Sequence, residues 1–94
     1  MLFVTLLSPK PTYIPAQSSQ RRMEWKYPQG IKPVAEYWLQ TNTPHVIAIY
    51  EADDITPMME INEAWGDIYD ITVVPAISAE KGLNLLASQR TPKN

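Results

Sequence analysis

The chain has 94 residues, 45% of them hydrophobic and 19% charged, with a net charge of −2. That is the size of one domain with ordinary globular composition, outside the low-hydrophobicity, high-charge range in which chains stay disordered. With no Cys and a single His, it offers no disulfide framework, no thiolate metal centre, no Cys nucleophile and no two-histidine metal site, and the cytoplasm is its expected compartment.

Leu2 to Leu7 is apolar on both alternating faces and reads as a buried first strand. It is not expected to act as an export signal, because no basic region precedes it and Pro9 and Pro11 cut it short. No later run approaches the roughly 20 apolar residues that span a bilayer. A first helix is expected to start at about Pro15 or Ala16, where proline suits the first turn, and to end before Pro28-Gln29-Gly30. Its apolar stripe is thin, Ala16, Met23 and Tyr27 among polar neighbours, with Trp25 an exception.

Ile31 to Thr41 and His45 to Glu51 are rich in strand formers and flank the turn chemistry of Thr41-Asn42-Thr43-Pro44, which predicts a hairpin. Asp53 and Asp54 are expected to cap a second helix, whose stripe Met58, Ile61, Trp65 and Ile68 has helical spacing. A fourth strand is expected over Tyr69 to Ile77. Ser78 then caps a short final helix with Leu83, Leu86 and Ala87 on one face. The domain is expected to cover residues 1–88, with 89–94 a flexible tail.

The order predicts an α+β, ferredoxin-like βαββαβ fold, a four-stranded antiparallel sheet with two helices on one face plus a short C-terminal helix. Proline placement agrees: Pro33 and Pro75 fall in the second and fourth strands, which are the edges of such a sheet, where a missing N–H is tolerated. Two helices cover one face of the sheet, yet strands one, three and four are apolar on both. A second copy of the chain is therefore expected to cover the other face.

Charge is segregated along the chain. Residues 1–32 carry five bases and one acid, residues 33–80 nine acids and no Lys or Arg, and residues 81–94 three bases. In a compact domain such segments are expected to face each other. An acidic chain without a dense basic stripe argues against nucleic acid as a partner.

Met1-Leu2-Phe3-Val4, Gly30-Ile31-Lys32 followed by Glu36-Tyr37-Trp38, Glu51-Ala52-Asp53-Asp54, and Trp65-Gly66-Asp67-Ile68 leading to Val73-Val74-Pro75-Ala76 together resemble a domain-of-unknown-function family of small prokaryotic proteins, over about residues 1–78. The resemblance implies the dimeric α/β-barrel form of the ferredoxin-like fold and no assigned activity.

Glu36 is the first candidate for chemistry, a carboxylate on an otherwise apolar strand. The hairpin places it opposite Tyr50 or Glu51, and strand parity leaves both open. A buried Glu36–Glu51 pair would raise one pKa and give a general acid or base, whereas Tyr50 opposite would give a hydrogen bond. Trp38, Tyr37, Trp65 and Tyr50 are candidates to line an aromatic pocket, and Asn62 lies beside the helical stripe as a further polar contact. His45, in a turn after Pro44, is a candidate base. Asp53 and Asp54, with Glu51 nearby, resemble an acidic metal cluster, but helix capping accounts for at least one of them and neither EF-hand spacing nor a partner His follows, so no metal and no cofactor is expected. The leading functional expectation is a non-catalytic, homodimeric module that binds a small apolar or aromatic ligand or serves assembly. The alternative is a cofactor-independent oxygenase or isomerase in which Glu36, Tyr50 or His45 assists proton transfer.

Overall fold

In the computed structural model, which describes residues 1–90, the chain folds as β1 (Leu2–Pro9), α1 (Pro15–Glu24), β2 (Ile31–Trp38), β3 (Val46–Ala52), α2 (Thr56–Trp65), β4 (Tyr69–Ala76) and α3 (Ala79–Arg90). The four strands form one antiparallel sheet in the order β2-β3-β1-β4. This is the expected α+β, ferredoxin-like arrangement, with Pro33 and Pro75 on the two edge strands. β1 runs two residues further than its apolar stretch. Its last residue, Pro9, pairs only with Tyr69 of β4, beyond the end of β3.

The helix-covered face of the sheet is built from Phe3, Thr5 and Leu7 of β1 and from Ala48, Tyr50 and Ala52 of β3. Met58, Ile61 and Trp65 of α2 close onto it, the stripe expected from their spacing. α2 begins later than Asp53 and Asp54, with Pro57 in its first turn and no side-chain cap. Asp54 instead accepts the Thr56 backbone N–H at 2.8 Å in the preceding turn. Ser78 does cap α3, accepting the Lys81 N–H at 3.1 Å. α3 continues through Gln89 and Arg90, and the rest of the expected tail, residues 91–94, lies outside the described residues.

α1 departs most from its reading. Met23 is 76% exposed and Ala16 is exposed too, while the helix's one buried residue is Ser18. The helix turns a polar face inward and is held by other means. The Arg21 guanidinium forms two hydrogen bonds with Asp67, at 2.8 and 3.0 Å, donates to the Ala64 carbonyl and lies over the Trp65 ring at 5.3 Å. Trp25, just past the helix, meets Trp65 edge-on at 5.7 Å. With Lys10–Asp70 and Arg22–Glu36, the Arg21–Asp67 pair joins the basic first third of the chain to its acidic middle, as the charge segregation predicts.

The opposite sheet face carries Leu2, Val4 and Leu6 of β1, Ile47 and Ile49 of β3 and Val74 of β4, by the alternation of the paired strands. α3 buries none of its residues, and Leu83, Leu85 and Leu86 are each more than half exposed. Extents of 61 × 29 × 17 Å fit one sheet backed by one helical layer, with α3 extending from it. Among the described residues no helix is long and apolar enough to cross a membrane.

Candidate functional site

The position of Glu36 follows from an irregularity in β2. Ile31 and Pro33 pair with Ala52 and Tyr50 and so face the helices. The register then shifts between Pro33 and Ala35, and Val34 is the extra residue. Proline cannot donate to the ladder, so an edge bulge beside it disturbs little. One extra residue reverses the parity of everything after it. Glu36 and Trp38, opposite Ala48 and Val46, now face the helices, while Ala35 and Tyr37, opposite Ile49 and Ile47, face away. Glu36 therefore sits opposite neither Tyr50 nor Glu51. Lys32 is Glu51's partner across the strands, and the Glu51 carboxylate takes a 2.7 Å hydrogen bond from the N-terminal amine, which holds its pKa below the ordinary range.

Because α1 brings no large aliphatic side chain to the sheet, a cavity of about 110 Å³ remains between the helix and strands β2 and β3. Five of the expected site residues converge on it from four segments: Glu36 and Trp38 from β2, His45 from the β2–β3 loop, Tyr50 from β3 and Trp65 from α2. Trp38 forms the rim, 70% exposed. Two expected residues are not there. The bulge sends Tyr37 to the open sheet face, and Asn62 lies on the exposed side of α2.

The cavity also holds residues the sequence did not single out, among them Arg22, Tyr27, Tyr13, Ser18 and Tyr69. Ser18 and Arg22 are one helical turn apart, and Tyr13, Trp25 and Tyr27 flank α1. The available signal was an apolar stripe too thin to be the buried face, bracketed by aromatic residues.

A hydrogen-bond network organises one wall. Glu36 Oε1 accepts from Arg22 Nη2 at 3.3 Å and from the Tyr27 hydroxyl at 3.4 Å, and its Oε2 accepts from Trp38 Nε1 at 2.6 Å. Arg22 also donates to the Tyr27 hydroxyl at 3.1 Å, and the Tyr27 ring meets Tyr50 edge-on at 5.7 Å. With its side chain 23% exposed and both oxygens engaged, Glu36 positions its neighbours. Elsewhere in the cavity the Ser18 and Tyr69 hydroxyls lie 3.3 Å apart, and Tyr13 packs between the Tyr69 and His45 rings.

Burial first, then Tyr27 and Glu36, push the Tyr50 hydroxyl well above its ordinary pKa, so it remains a proton carrier at neutral pH. Tyr27 and Tyr69 are raised as well, again chiefly by burial. These three of the five tyrosines should ionise late. Phenolate absorbance is expected to stay short of its full value at about pH 11, completing only as the chain unfolds. Stability owed to these neutral hydroxyls is intact below their unfolded value of ~10 and is lost as pH rises through the folded ones. A single titration of all five near ~10 would contradict this.

Among the described residues no group of three or more His, Asp or Glu side chains is arranged to hold a metal ion. No curated protein and no solved structure matches the chain. The family described as domain of unknown function DUF3303 matches it over residues 1–90, and the chain belongs to that family.

Proposed function

We propose that the protein is a cytoplasmic, homodimeric module that binds a small aromatic ligand in the cavity beneath α1 without transforming it. The observation that carries this reading is the cavity's wall. All three tryptophans of the chain stand around it, together with Tyr13, Tyr27 and Tyr69, and its carboxylate is already spoken for by Arg22, Tyr27 and Trp38. Aromatic side chains and a few oriented polar groups are the usual lining of a small-molecule site. A cavity of this order suits one ring, since an apolar cavity of ~150 Å³ can hold benzene.

The open sheet face supports the dimer. Its apolar strands border a groove between Leu2, Glu51 and Ala76 on one side and Ile77, Ser78 and Lys81 at the root of α3 on the other. The same chain supplies an apolar element with no burial of its own, the Leu83/Leu86 side of α3. A two-fold pairing in which each copy covers the other's sheet with sheet and α3 uses both surfaces at once.

Titration with one-ring aromatics while following tryptophan emission tests the ligand reading, because every fluorescent indole borders the cavity. Saturable quenching is expected, and no change up to millimolar concentrations would refute it. One observation favours the second reading, a cofactor-independent oxygenase or isomerase: Glu36 lies in the cavity and not in bulk solvent. Recovery of the bound aromatic unchanged after incubation in air supports the binding module, and its conversion supports the enzyme.

A further inference from the structure

We infer that the cavity's ligand is a one-ring aromatic bearing an O–H group, of the phenol class, and that His45 accepts the hydrogen bond from it. The inference rests on the reading of the cavity as a ligand site. His45 is the chain's single histidine and one of the residues bordering the cavity. Its Nδ1 lies 3.0 Å from the Thr41 carbonyl oxygen. A carbonyl has no proton to give, so the proton of that bond belongs to Nδ1, and neutral imidazole then carries its lone pair on Nε2. Among the described residues Nε2 has no hydrogen-bond partner.

Several other acceptors of the wall already have protein partners. Both Glu36 oxygens take hydrogen bonds from protein donors, the Tyr27 hydroxyl accepts from Arg22, and the Ser18 and Tyr69 hydroxyls are paired. His45 Nε2 thus offers a ligand donor an acceptor that no protein donor occupies. The ring that carries this donor meets other rings. Tyr13 lies edge-on to His45 at 6.3 Å and tilted to Tyr69 at 5.4 Å, and Trp65 follows Tyr69 at 6.1 Å. A hydroxyl on an aromatic ring satisfies the acceptor and the aromatic wall together, within the volume of a single ring.

Phenol and anisole, nearly alike in ring but differing in the O–H, separate this inference from the reading beneath it. Tryptophan quenching should show phenol binding about fivefold more tightly than anisole, the net worth of one hydrogen bond. His45→Phe, which keeps a ring beside Tyr13, should abolish the difference between phenol and anisole. His45→Gln, whose side-chain oxygen can accept near the position of Nε2, should restore part of the preference. Equal binding of phenol and anisole by the unaltered protein overturns the role of His45 and leaves the ligand site standing. Binding of neither overturns both. The comparison in the unaltered protein needs no variant to fold.

Discussion

Replacing Trp65 with alanine is expected to lower folding stability by about 3–5 kcal/mol, a large share of what a domain of this size possesses. Trp65 is 6% exposed and is the common anchor of both helices. It lies on the buried stripe of α2, and on it rest Trp25 at 5.7 Å, Tyr69 at 6.1 Å and the Arg21 guanidinium at 5.3 Å. Because α1 has a polar inward face, these contacts stand in for the aliphatic packing that holds most helices to a sheet. Truncation thus opens a void and removes the seat of α1. Urea unfolding measures the effect. Trp65→Phe, which retains a ring, should lose less than half as much, and an alanine variant within about 1 kcal/mol of the parent would show that α1 is held elsewhere.

The helices, strands and their order were readable because they rest on local periodicity: the spacing of Met58, Ile61 and Trp65, the alternation along β1 and the proline-bearing edges. The site was readable in part. Glu36, Trp38, His45, Tyr50 and Trp65 stand out by chemical type, and the fold brings them to one cavity. What periodicity could not convey is which way β2 faces after Pro33. A single extra residue at Val34 sets Glu36 and Trp38 inward and Tyr37 outward, and no residue type announces a bulge. The inward face of α1 was hidden for the opposite reason. Serine and arginine at helical spacing look like a solvated surface, and only tertiary contacts, Ser18 with Tyr69 and Arg22 with Glu36 and Tyr27, show them turned to the sheet.

Ile49→Asp is expected to separate the proposed dimer into single chains, weakening association by about 100-fold or more. Ile49 lies on the open face of β3, opposite Val4 of β1 on one side and Ala35 of β2 on the other. A carboxylate there is half-solvated in one chain but would be buried without a partner between two sheets, where an unpaired charge costs several kcal/mol. The unaltered chain should show about twice its 10.7 kDa mass at micromolar concentration, and the variant the mass of one chain with unchanged circular dichroism. A single-chain mass for both would refute the pairing. Since the cavity lies on the other face of the sheet, the separated variant should still bind one-ring aromatics.

For the proposed ligand site beneath α1, the indole N–H resonances of Trp25, Trp38 and Trp65 report from three sides. Two-dimensional NMR of the nitrogen-labelled protein, titrated with phenol, follows all three alongside the backbone amides of the open face. Binding beneath α1 should give saturable shifts of the three indole signals while the amides of Ile47 and Ile49 stay in place. Indole signals that do not move, or shifts confined to the open face, would contradict it.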